Sequence, residues 1–247
     1  MAYRGIEDAR RAGLEAVYGN FLAGNVMESL ALLGRWPEAR RLSARALAWR
    51  PTGVAFLMGI VQLATIEIET ESGERAGRLL GQTVLEFDAL REPQLAAPYY
   101  LAAASYGLWR GDVADAGRSV ERGWAVVRTT EEWVLAARMT AMVARVDAAA
   151  AAEARERRQL APLAAARSRT AEVLAVATTL VEAAGAPPSA GSRRIAEAYL
   201  ATARGYQRRL EGDDDAAVWA KVAAMWRDLE APYEEALAHW RQAEASS

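Results

Sequence analysis

One turn pattern recurs along this 247-residue chain, and it restricts the fold more than any other feature. Leu33-Gly34-Arg35-Trp36-Pro37-Glu38-Ala39 aligns with Arg110-Gly111-Asp112-Val113-Ala114-Asp115-Ala116, and Glu71-Ser72-Gly73-Glu74-Arg75-Ala76-Gly77 lies between them. The three glycines are 39 and 38 residues apart. A spacing of this size between matching turns is the mark of a repeated supersecondary unit. Other breakers are Arg50-Pro51-Thr52-Gly53, Arg91-Glu92-Pro93, residues 185–192 (GAPPSAGS), Glu211 to Asp215 and Ala231-Pro232. They cut the chain into lengths suited to helices, joined by turns too short for anything but antiparallel neighbours. The stretch Ile60 to Thr70 alternates only at its end and sits inside a helix-compatible run, so it reads as helix. The expected fold is all-α, a right-handed array of antiparallel helix hairpins with about eleven helices. It forms one domain, 1–247, in which 185–192 reads as a long loop and is the candidate point for any subdivision.

Composition agrees and narrows the chemistry. Ala supplies 57 residues, as expected where paired helices must approach closely. All but one of the 30 basic residues are Arg, the exception being Lys221; His239 is the one histidine, and Cys is absent. Thiolate chemistry, disulfides and Cys-based zinc sites are therefore excluded, and histidine triads nearly so. The expected protein is not an enzyme, and neither a metal nor a cofactor is expected. A net charge of −2 offers no basic surplus for nucleic acid. With no long apolar run and no secretory pattern in MAYRGIEDARRAG, no membrane partner is expected and the expected location is cytoplasmic.

Gly34, Trp36, Glu38, Ala39, Ala46, Leu47 and Pro51 resemble the second half of a tetratricopeptide repeat. Ala39 and Ala46 are seven apart and share one helix face, as close packing requires. Met27 stands where that family usually has Gly, so the repeat is divergent. Gly111, Asp115, Ala116 and Gly123 repeat the pattern, with Ala104 at the small position of the first helix. Gly73, Gly77 and Gly81 form a small-residue row read as a helix-packing face. More widely, GLEAVYGNFLAGNVMESLALLGRWPEAR, PYYLAAASYGLWRGDVADA and APYEEALAHWRQAEA resemble the helical-repeat region of large LuxR-type transcriptional regulators. That resemblance implies an array lying between an ATP-binding and a DNA-binding module. It implies a non-catalytic scaffold that binds an effector or partner. This segment has no G-x-x-x-x-G-K-[ST] loop, since Lys221 follows Ala220, and no helix-turn-helix. Both ends read as falling within a repeat, which makes end-to-end self-association an expectation.

The alternative is a freestanding adaptor binding a peptide or protein in its concave groove. The first helix of each hairpin lines that groove in tetratricopeptide arrays, which makes Glu67, Glu71, Tyr99 and Trp109 the candidate partner contacts. Glu67 and Glu71, four apart, share a helix face and would meet a cationic partner; they are also the best acid/base pair for any enzyme reading. Tyr99 and Trp109, with Tyr100 and Tyr106 nearby, would anchor a peptide or a small-molecule effector. Trp36, Trp124, Trp219 and Trp226 read as packing residues. Asp214 or Asp215 reads as the cap of a helix starting at Ala216, and His239 as a half-exposed helical residue beside Glu235. Asp147 to Arg158 reads as an exposed helix extension, with Glu153 and Arg157 paired.

Overall fold

The computed structural model describes residues 2–49, 51–70, 73–185 and 190–246. Among these there are thirteen α-helices, one π-helical turn and no strand. The chain divides into two compact units, Met1–Leu90 and Arg91–Ser247. The boundary between them is at Leu90/Arg91.

The first unit contains α1 (Ala2–Arg11), the π-turn (Glu15–Gly19), α2 (Asn20–Leu32), α3 (Trp36–Ala48), α4 (Gly53–Glu69), α5 (Gly73–Gly81) and α6 (Val84–Ala89). Ile60 to Glu69 is helical, as its setting in an apolar run implies. Neighbours in sequence pack together from α1 to α5, and α2 also meets α4. The core joins Ile6, Val26, Met27, Leu30, Ala39, Leu42, Ala46 and Ile66, with Trp36 and Trp49 against it. Met27, at the position expected to be small, is fully buried in that core. The glycine row is not a uniform packing face: a side chain at Gly81 would meet open space.

The second unit runs through α7 (Pro93–Trp109), α8 (Val113–Val127), α9 (Trp133–Glu156), α10 (Leu160–Ala183), α11 (Ala190–Glu211), α12 (Ala216–Asp228) and α13 (Pro232–Ala245). Consecutive helices pack, and α7 meets α9 as α9 meets α11. Small residues set the closest approaches. A Cβ on Gly107 would sit 2.8 Å from the backbone nitrogen of Ala116, so α7 and α8 touch where only Gly fits.

One helix ending recurs along the chain, and glycine marks most of its occurrences in sequence. After α2, α7 and α11 the chain turns through Gly34, Gly111 and Gly212 at φ of 67, 72 and 86°. The next amide then bonds back to the carbonyl five residues earlier and closes the turn: Arg35 N–H to Leu30 O at 2.8 Å, Asp112 N–H to Gly107 O at 2.8 Å and Asp213 N–H to Arg208 O at 2.9 Å. The same bond ends α9 and α12, from Gln159 to Ala154 at 2.8 Å and from Ala231 to Trp226 at 3.0 Å. There the left-handed position is held by Arg158 (φ 54°) and Glu230 (φ 56°), so no glycine signals the break. Gly73, by contrast, is the first residue of α5.

Asp147 to Glu156 is not an exposed extension. Asp147, Ala148, Ala151 and Ala154 are buried, and Ala151 packs with Ala166 and Leu210. Alanine lets helices approach closely enough to bury a face that looks weakly apolar in sequence. Glu153 and Arg157 do pair, at 3.4 Å. Arg167 Nε donates to Leu210 O at 3.3 Å, and Arg155 donates to the same carbonyl; together they satisfy the C-terminal carbonyls of α11.

Candidate functional site

The expected groove residues fall into different settings. Glu67 is buried in α4, and its carboxylate is gripped from two sides. Arg40 on α3 reaches it through Nε at 3.2 Å and a terminal nitrogen at 3.1 Å, and Arg75 on α5 at 3.2 Å. The cations that Glu67 meets are therefore the chain's own, and they clamp α3, α4 and α5 together. Glu71 lies outside the described residues. Tyr99 is buried in α7, edge-on to Tyr100 at 5.4 Å between ring centroids. Only Trp109 is open: it is 43% exposed and stacks on Tyr106 at 6.1 Å, with the Arg110 guanidinium over that tyrosine. Glu67 and Tyr99 are thus buried each within its own unit, and neither offers a surface to a partner.

The remaining readings divide. Asp215 caps α12 through the Ala217 amide at 2.8 Å, while Asp213 and Asp214 pair with Arg208 and Arg209 at 2.7 and 2.6 Å. His239 is half-exposed with Glu235 at 3.6 Å. Trp219 and Trp226 are buried packing residues, and Trp36 packs on the first core. Trp124 instead is half-buried at the edge of a cleft.

A different set of residues converges across α9, α11 and α13. Arg138 and Arg145 are seven apart on α9 and so share one helix face. Arg145 faces Tyr206 of α11 and Tyr233 and Glu234 of α13, and the Tyr233 hydroxyl shares a hydrogen bond with it. Glu234 also feels Arg138. Next to them, Arg241 of α13 donates to the Tyr206 hydroxyl at 3.4 Å and to Glu244 at 2.7 Å, and it lies 4.1 Å over the Trp240 ring. All are half-buried except Tyr206, which is buried, and Trp240, which is exposed. The sequence signal was present but easily passed over: two arginines at i and i+7 in the mostly apolar first half of α9.

Burial pushes the Glu234 carboxyl above its ordinary value, and Arg145 and Arg138 only partly offset this. The folded chain therefore binds this proton more tightly than the unfolded chain does. The resulting stabilisation is full below the ordinary carboxyl range and is lost as pH rises through the folded value. Glu234→Gln cannot titrate. The stability of that variant relative to the native chain should rise between about pH 4 and pH 7 in urea unfolding, and a pH-independent difference would contradict the assignment.

A second polar cluster lies deeper. Asp147 of α9 is fully buried and accepts from Arg169 Nε at 3.1 and 3.2 Å, from an Arg169 terminal nitrogen, and from Thr170 Oγ at 2.8 Å. Arg169 Nη1 also meets Glu121 of α8 at 2.6 Å. The cluster thus links α8, α9 and α10.

No family model, curated protein or solved structure matches the chain. Among the described residues no helix is long and apolar enough to cross a membrane.

Proposed function

We propose that the chain is a non-catalytic, tetratricopeptide-like helical-repeat scaffold that binds a partner or effector. We assign it to the repeat region of a LuxR-type transcriptional regulator, on the resemblance of its strings to that family. The observation that carries the scaffold reading is the packing order of the second unit. Each helix pairs with the next, and alternate helices α7, α9 and α11 also meet, which is how stacked hairpins bury a continuous core. On this reading α9, α11 and α13 are the first helices of successive hairpins. Their shared arginine and tyrosine side chains form the surface best suited to a protein or peptide, because such residues anchor interfaces at low entropic cost.

Stacked hairpins interact mainly with their neighbours, so they open piecewise. Native-state hydrogen exchange should show opening free energies that fall from α9 towards α12 and α13. One uniform value across the second unit would overturn the array. The chain alone should neither hydrolyse ATP nor bind duplex DNA, and either activity would overturn the scaffold reading.

A further inference from the structure

Between α8 and α10, above the middle of α9, lies a cleft of about 250 Å3. Its floor is Val120, Val143 and Val173, one from each helix and all buried. Trp124 lines it from α8, one turn on from Val120. Sites for drug-sized ligands run to roughly 300–1,000 Å3, so an occupant here is small.

Four charged side chains line the cleft: Glu121, Arg128, Arg169 and Glu172. Arg169 is already engaged, with Nε and one terminal nitrogen on Asp147 and the other on Glu121. Glu121 is correspondingly engaged. Arg128, at the C-terminal end of α8, and Glu172, three residues after Arg169 on α10, are different. Neither side chain makes a hydrogen bond or ion pair with another described residue. The cleft thus offers one uncommitted cation and one uncommitted anion over an aliphatic floor.

That combination discriminates between ligand classes. An apolar monoanion could use Arg128 but would bring its charge beside Glu172, and a monocation meets the converse conflict with Arg128. An uncharged apolar molecule uses neither. A zwitterion satisfies both, and the valines and the indole take an apolar side chain. We propose that this cleft binds a free α-amino acid with an apolar side chain, its carboxylate on Arg128, its ammonium on Glu172 and its side chain over Val120, Val143 and Val173. The inference deepens the effector-binding part of the proposed function and is independent of any partner at the α9–α11–α13 face.

Isothermal titration of the full chain with L-leucine and L-phenylalanine tests it, alongside the half-ligands isovalerate and isoamylamine. At least one amino acid should bind, and each half-ligand should bind about tenfold more weakly or worse, because each lacks one charge-assisted contact. Arg128→Gln and Glu172→Gln should each weaken amino-acid binding by about tenfold or more. Both positions are exposed, so circular dichroism should report native helix content in each variant. No binding of either amino acid at millimolar concentration overturns the inference, as does equal binding of a half-ligand or unchanged binding by either variant. Such a result would leave the scaffold reading to stand or fall on hydrogen exchange.

Discussion

Arg169→Met is expected to destabilise the second unit by about 3–5 kcal/mol, because it strands a buried carboxylate. Asp147 has no solvent exposure, and in the native chain Arg169 supplies most of its donors. The substitution leaves only the Thr170 hydroxyl, at 2.8 Å. The reverse removal should cost less. In Asp147→Leu the guanidinium keeps Glu121 at 2.6 Å and remains about one-third exposed, so water can replace part of what is lost. The double variant carries no uncompensated charge, and an apolar pair of similar volume is often neutral relative to a buried ion pair. It should recover most of the loss of Arg169→Met. Urea unfolding followed by circular dichroism gives all three values. A loss below about 1 kcal/mol for Arg169→Met would mean that Asp147 is not held by this contact.

The same pair shows what can be read from sequence and what cannot. The ends of α2, α7 and α11 are legible because Gly34, Gly111 and Gly212 carry the left-handed turn at little cost. Arg158 and Glu230 make the identical turn without the glycine that announces it, and at Glu230 only the following Ala231-Pro232 marks the break. The partners of Asp147 and Glu67 are hidden for another reason. Spacing along one helix does not show what a carboxylate on it meets. Its true partner can lie on another helix, as Arg169 lies 22 residues from Asp147 and Arg40 lies 27 from Glu67. No helical period encodes such a pairing; the crossing of two helices creates it. The α9–α11–α13 face has the same origin, since Arg145, Tyr206 and Glu234 come from three helices far apart in sequence. Tyr99 was placed in the groove by its position on the first helix of a hairpin. In the folded chain it is buried, because position along a helix does not fix which way that helix is rotated.

Trp219→Ala should cost about 3–5 kcal/mol, the range for removing a large buried aromatic. The indole is almost wholly buried, stands edge-on to Tyr206 at 5.0 Å and donates from Nε1 to Asp214 at 2.8 Å. Asp214 keeps Arg209 at 2.6 Å, so the loss is chiefly of packing and not of a stranded charge. Gly205 of α11 is the surface on which this ring lies: a Cβ there would approach the ring carbons Cη2, Cζ2 and Cζ3 at 2.9, 3.1 and 3.1 Å. A ring wedged against Tyr206 cannot move away as a flexible side chain could. Gly205→Ala in the native chain should therefore destabilise by about 1–3 kcal/mol, despite the better helix propensity of alanine. With Trp219 already replaced by Ala, the same methyl enters the space the ring has left. The substitution should then become neutral or stabilising, by up to about 1 kcal/mol. This change of sign is specific to a ring packed on a glycine. An equal cost of Gly205→Ala in both backgrounds would show that glycine is required there by some contact other than Trp219.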